Sequence, residues 1–280
     1  QTKLQEKCQN SEDTINTLAH EIRTPLQSLL GGFEVLNSML LNKKQQTLLK
    51  DMALCGHQIM SNMNSVLEAQ RLGHGKVELF LSKFRVPDLL QHSCSLVKHL
   101  AENKAIPLEW DMYPKSMTDC LIEGDFERLS QVMVNLLSNA IKFSPQREKV
   151  TMRAILSAEM DLVLTGQTAM QMGQLLIEVR DLGPGMSLEA QRRLFQRFVQ
   201  ADAGISAKFG GSGLGFWICR KIIVDCMQGD LRTDQHRTAP GQGTVFQVDV
   251  PVKVFPGEPE ELRSPSANPI PGAVDRHDHE

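Results

Sequence analysis

Two apolar stripes separated by a short polar break constrain this chain more than any other feature. Ile15, Leu18, Ile22, Leu26, Leu29, Phe33, Leu36 and Leu40 step by threes and fours, which predicts one apolar face of a long helix. Asn42, Lys43 and Lys44 interrupt the pattern, and Leu48, Met52, Cys55, Ile59, Met63 and Val66 resume it. Gly73 and Gly75 mark the end of the second helix. Two long amphipathic helices joined by a short turn form an antiparallel hairpin. A single hairpin cannot bury both stripes, so a homodimer in which two hairpins complete a four-helix bundle is the expected remedy.

A chain of 280 residues has room for one large domain or two modest ones, and 41% apolar residues suffice for a core. The formal net charge of -3 gives no electrostatic case for nucleic acid or an anionic membrane. No apolar run approaches the ~20 residues of a membrane helix, and no signal-peptide pattern opens the chain. It begins on Gln1, as expected of a piece of something longer. The six cysteines are scattered and form no C-x-x-C pair, which speaks against zinc or a redox dithiol and suits a reducing cytoplasm.

From about residue 77 the texture changes. Leu79–Val86 alternates like a strand, and Val86-Pro87-Asp88 opens a helix expected to run to His99. A further helix is expected over Asp125–Ile141, and strands over Val150–Leu156, Leu175–Arg180 and Thr244–Val250. Helices and strands without strict alternation predict an α+β layer. Ser157–Gly173, rich in Met, Gln and Thr, reads as a long hairpin connection without an assigned role. The expected organisation is a helical hairpin at 1–75, a mixed domain at 76–254 and a disordered Pro-rich tail at 255–280.

His20 lies two residues from Leu18 and two from Ile22, hence about 200° around the helix from each, facing away from the apolar seam. A solvated surface histidine would look the same. Its neighbours separate the two readings. Glu21 can accept the imidazole N–H, fixing the tautomer and sharpening the other nitrogen as a nucleophile. Pro25 inside a helix removes a backbone hydrogen bond at a cost of about 3 kcal/mol, which a bend opening the helix beside His20 would explain. Thr24 lies one turn on, on the same face.

Asn135, Asn139 and Lys142 fall at i, i+4 and i+7 on one helix face. An amide oxygen can ligate Mg²⁺, which keeps most of its waters and takes phosphate oxygens, and the lysine can neutralise phosphate charge. Asp181-Leu182-Gly183-Pro184-Gly185 leaves a strand; the carboxylate can accept from an adenine amino group, and the glycines let the backbone pass close to a flat base. Gly210-Gly211-Ser212-Gly213-Leu214-Gly215 opens a helix over Phe216–Val224, presenting N–H groups to phosphate. Its spacing fits neither the dinucleotide fingerprint nor the Walker A loop. Each motif alone also describes an ordinary polar face or turn.

His20-Glu21-Ile22-Arg23-Thr24-Pro25-Leu26 resembles the phosphoacceptor box of sensor histidine kinases, in particular of the hybrid type. The order of the later motifs resembles the N, G1, F and G2 boxes of the same family, with Phe195-Gln196-Arg197-Phe198 as the F box and Gly241-Gln242-Gly243-Thr244 as the last glycine element. The likeness covers roughly residues 10–252. It implies a Bergerat-type sandwich, a mixed sheet backed by helices, that binds ATP with Mg²⁺. It further implies His20 as acceptor, Glu21 as its base, and Thr24 as the residue that positions water in a phosphatase reaction. Asn139 would hold the metal with Asn135 beside it. The nucleotide would be lined by Asn135, Asn139, Lys142, Phe143, Asp181, Gly183, Gly185, Gly211, Gly213, Leu214, Gly215 and Thr244, with Lys208 in a mobile lid between Gly185 and Gly210. The expected partner is a response-regulator receiver domain, in the same chain or another; whether one follows the tail is open, as are the input signal and the subunit that supplies the acceptor. Gln196-Arg197 replaces the commoner Glu-Pro, and Phe216-Trp217 stands where smaller residues are usual.

Three other readings compete. Gyrase, chaperone and mismatch-repair ATPases resemble this site but carry a water-activating Glu where this chain has Asn135, and an amide cannot take a proton. A pseudokinase would signal by nucleotide-dependent shape, although every expected polar group is present. A dimerising scaffold phosphorylated by another kinase would not need an intact glycine loop.

Overall fold

The computed structural model describes residues 21–39, 41–73, 78–158, 170–199 and 213–256. Helix α1 occupies residues 21–37, with Pro25 inside its helical run. Helix α2 (Lys43–Gly73) begins after a reciprocal cap: Gln45 N donates to Asn42 Oδ1 (2.9 Å) and Asn42 N donates to Gln45 Oε1 (3.0 Å). The polar break between the stripes is thus a helix start. The two helices lie close where a Cβ on Gly56 would come within 2.8 Å of Leu30 Cδ2. Across the hairpin, Arg23 Nη2 donates to Asn64 Oδ1 (3.0 Å). Ile22, Leu29 and Leu36 on α1 and Leu48, Met52, Ile59 and Val66 on α2 are exposed in the single chain, so both stripes keep uncovered surface.

The second unit follows the order β1 (Ser82–Arg85), α3 (Val86–Asn103), β2 (Leu108–Tyr113), β3 (Leu121–Gly124), α4 (Phe126–Phe143), β4 (Val150–Ala158), β5 (Gln171–Asp181), α5 (Leu188–Arg193), α6 (Gly215–Arg220), β6 (Asp230–Thr233) and β7 (Thr244–Phe255). A short π-helix, Lys221–Cys226, extends α6. The strands form one mixed sheet in the order β1-β3-β7-β5-β4-β2, with β6 also on β7. Among the described residues only the β2–β4 pair is parallel. Val150, Met152, Ala154 and Leu156 of β4 and Leu175, Ile177 and Val179 of β5 share one core with α3, α4 and α6. The alternate positions Arg153, Glu178, Gln247 and Lys253 face away from it, the period-2 pattern of a sheet covered on one side. Ala69 and Leu72 of α2 join the same core, seating the end of the hairpin on the second unit.

Several boundaries differ from the sequence reading. Of the expected strand over 79–86 only Ser82–Arg85 pairs, and Phe80 and Leu81 stand exposed. Helix α3 continues past His99 to Asn103, because Ala101, one turn beyond Val97, is buried. Ser157 and Ala158 belong to β4 and Gln171–Gly173 to β5, which shortens the connection; residues 159–169 lie outside the described residues. Phe255 pairs with Leu121 and belongs to β7 rather than to the tail, whose residues beyond 256 also lie outside. Strands β2, β3 and β6 carried no strong apolar pattern: in β2 only Met112 is fully buried. Among the described residues no helix is long and apolar enough to cross a membrane.

Candidate active site

Helix α4 is the spine of the site. Asp125 caps its start, accepting from Arg128 N (3.0 Å). Its end is held from another element: Lys104 Nζ donates to the Ile141 and Lys142 carbonyls (2.9 and 2.7 Å). Burial lowers the Lys104 ammonium from its ordinary value. Leu129, Val132, Met133, Leu136, Leu137 and Ala140 fill the core, which turns Asn135, Asn139 and Lys142 to the half-buried flank.

On that flank Asn139 Nδ2 donates to both the Asn135 carbonyl and Asn135 Oδ1 (2.8 Å each). Only a nitrogen can donate to that carbonyl, so the amide orientation follows from chemistry. The nitrogen side of the Asn139 amide thus faces Asn135. The Asn135 amide lies against the start of α6: a Cβ on Gly215 would stand 2.7 Å from Asn135 Nδ2. Half burial lowers the Lys142 ammonium, which stands 5.2 Å from the Phe143 ring centre.

Asp181 ends β5 opposite Thr244, the first residue of β7. Its side chain is 4% exposed. Asp181 Oδ1 accepts from Gly183 N (2.8 Å) and Thr244 N (3.1 Å), and the Thr244 hydroxyl adds a further hydrogen bond. Burial pushes the carboxyl up to about 6 and outweighs these hydrogen bonds, which pull it down. Gly183 passes tightly over the end of α4, where a Cβ would meet the Phe143 carbonyl oxygen at 3.0 Å. Gly185 has φ +68° and no room for a Cβ, which would lie 1.9 Å from Ala239 O. Gly213, at φ +69°, packs on the Phe198 backbone.

The structure therefore gathers Asn135, Asn139 and Gly215 at one point, and Asp181, Gly183, Thr244 and Phe143 at another on the same helix. Leu214 is buried and starts α6. His20, Lys208 and Gly211 lie outside the described residues. Glu21 and Thr24 sit exposed in the first turns of α1, where Ser28 Oγ donates to the Thr24 carbonyl (3.1 Å). The first part of the expected lid is packed, with α5 helical and Leu194 buried, and residues 200–212 lie outside the described residues.

The two unusual dipeptides meet each other. Arg197 stacks on Trp217 at 4.1 Å, Phe195 meets Phe216 edge-on at 6.3 Å, and Phe216 stacks on Phe246 at 5.0 Å. Arg197 also lies against the end of α2, 3.0 Å from where a Gly73 Cβ would stand. Glu68 of α2 pairs with Arg128, and Gln131 Nε2 donates to Glu68 Oε2 (2.6 Å). Lys104, Gln191 and Thr238 belong to none of the sequence motifs. Lys104 is far from α4 in sequence and carries no signal; Gln191 sits three and four residues before Leu194 and Phe195, a polar residue on an apolar helical face.

Comparison with known proteins places these features in context. Residues 11–75 match the model of the "His Kinase A (phospho-acceptor) domain", and residues 124–254 that of the "Histidine kinase-, DNA gyrase B-, and HSP90-like ATPase". The chain is 32% identical over 262 residues to the sensor protein GacS of Pseudomonas syringae pv. syringae, covering 93% of this chain and 27% of that protein. To the sensor protein EvgS of Escherichia coli K12 it is 32% identical over 241 residues, 85% of this chain and 18% of that one. A crystal structure of full-length ShkA in complex with AMPPNP superposes with a TM-score of 0.66 at 29% identity, covering 90% of this chain and 47% of that chain. The chain thus spans roughly a quarter or less of these curated relatives' length.

Proposed function

The chain belongs to the sensor histidine kinase family, and on that premise we propose that it phosphorylates His20 from Mg-ATP and passes the phosphoryl group to a receiver-domain aspartate. The observation that carries this reading is the Asn135–Asn139 pair. Asn139 commits its amide nitrogen to Asn135, and its oxygen is the atom that could take a cation. Among the described residues no group of three or more His, Cys, Asp and Glu gathers around a metal position. A single amide oxygen suits Mg²⁺, whose remaining ligands are waters and phosphate oxygens. When bound, the ion would neutralise charge between the phosphates during transfer.

The chain's own groups supply the rest. Asp181 receives the adenine amino group at the buried end of the site, and Lys142 adds positive charge on the phosphate side. Gly213 and Gly215 let backbone N–H groups approach the phosphates. Asn135 stands where hydrolytic relatives carry Glu and cannot activate water. The acceptor is then the imidazole of His20: one ring nitrogen bonds to the γ-phosphorus as its bond to the ADP oxygen breaks, and Glu21 takes the proton of the other nitrogen. Catalysis is mainly positioning and charge neutralisation. Thr24 would orient water for the reverse, phosphatase reaction. The uncovered stripes of α1 and α2 support a homodimer through the hairpin. An ATP-consuming reaction assigns this segment to the cytoplasm, and the receiver domain to the same chain or a partner.

The test is incubation with γ-labelled ATP. The expected label is acid-labile and alkali-stable, as a phosphoramidate is, and disappears in His20→Ala while nucleotide binding persists. Asn139→Ala should lose labelling as well. Acid-stable label, or free phosphate released over many turnovers at an undiminished rate in His20→Ala, would show that water or another residue is the true acceptor.

A further inference from the structure

Gln191 is a buried polar side chain that the reaction does not use. It is 4% exposed, on the short helix α5, and its hydrogen bonds reach three separate pieces of chain. Its Nε2 donates to the Met186 carbonyl (3.1 Å) and the Thr238 carbonyl (3.0 Å); its Oε1 accepts from Thr233 Oγ1 (2.9 Å). Met186 follows the Gly183–Gly185 turn, Thr233 ends β6, and Thr238 lies in the loop between β6 and β7.

That loop is clasped over the turn. Val245 N donates to Thr238 Oγ1 (3.0 Å), beside Thr244, whose N–H donates to Asp181. Gly241 N donates to the Pro184 carbonyl (2.7 Å), and Gly185 packs beneath Ala239 O. Outside, Arg237 pairs with Asp234 on the loop and with Glu178 on β5, three residues before Asp181. Hydrogen bonds through Thr238 and Val245, and the peptide link from Val245 to Thr244, therefore connect Gln191 to the Asp181 carboxylate. A buried amide whose donors and acceptor are all satisfied fixes the elements it joins, because displacing any of them strands a polar group away from water.

We propose that Gln191 is a positioning residue for the nucleobase: through Thr238 and the β6–β7 loop it holds the Gly183–Gly185 turn and Thr244 in the arrangement that aims Asp181. It touches no substrate and acts through these neighbours. The inference rests on the assignment of this pocket to ATP. It separates the base end of the site, set by Gln191, from the phosphate end, set by Asn139 and the glycine loop.

The experiment uses the full chain with Gln191→Met, which keeps length and apolar volume and removes the three hydrogen bonds. Thr233→Val, which removes one, serves should the first variant not fold. Calorimetric titration with ATP and with ADP should give roughly tenfold weaker binding in Gln191→Met, by the same factor for both nucleotides, since about 1.4 kcal/mol corresponds to tenfold. His20 labelling at saturating ATP should stay within about twofold of the parent, because the phosphate end is untouched. Thr233→Val should lose less, in the same direction. A parent that binds no ATP would sink the pocket assignment itself. Normal affinity with a lowered melting temperature would make Gln191 structural only and overturn the inference, as would a loss confined to ATP over ADP.

Discussion

Asp181 is expected to cost the protein stability in order to be useful. Its carboxylate is 4% exposed, and burial raises it from the ordinary aspartate value to about 6. The folded protein then binds a proton more tightly than the unfolded chain does, so this group's contribution to stability is full below about pH 4 and is lost as pH rises through about 6. Two decades of proton affinity at about 1.4 kcal/mol each amount to roughly 3 kcal/mol withheld at pH 7.5. Asp181→Asn imitates the protonated form. Its oxygen can still accept from Gly183 and Thr244, the two N–H groups that Asp181 Oδ1 holds. Urea denaturation of the nucleotide-free protein at pH 7.5 should therefore show Asp181→Asn about 2–3 kcal/mol more stable than the parent, the gain shrinking towards zero near pH 4. The same variant should bind ATP more weakly by about 1.5–3 kcal/mol, the value of a charge-assisted hydrogen bond. GTP should bind the parent poorly, since its 6-oxo group would face a carboxylate. A variant less stable than the parent at pH 7.5, or a difference that does not change with pH, would refute the argument that burial dominates this carboxylate.

Two further outcomes follow from geometry. Gly185→Ala should cost more than about 3 kcal/mol in denaturant unfolding, since it adds left-handed strain to a Cβ 1.9 Å from Ala239 O, whereas Gly241→Ala, at φ +79° with open space around it, should cost only the strain of about 1–2 kcal/mol. For the clasp between hairpin and ATP domain, a Glu68→Gln and Arg128→Met double-mutant cycle should give a coupling near 1 kcal/mol, because both side chains are 21–30% exposed; strict additivity would mean that the pair holds nothing.

The hairpin and the motifs are legible in the sequence because both are local. Stripes at spacings of three and four, a polar break that becomes a capping box, and an Asp-x-Gly-x-Gly turn leaving a strand are each written within a few residues. The same locality put Asn135 and Asn139 on one flank of α4, since i and i+4 must share a face. What the sequence left out was long-range. Strands β2, β3 and β6 are short and carry few buried side chains, so only their pairing with β4, β1 and β7 makes them strands. The value of Asp181 as a perturbed carboxylate depends on Thr244, sixty-three residues away, arriving beside it. Lys104 closing the end of α4, Arg197 stacking on Trp217, and Gln191 joining α5 to two other elements are likewise tertiary facts. A side chain's hydrogen-bonding and electrostatic role is set by what the fold brings within about 3 Å of it, and no spacing along the chain encodes that.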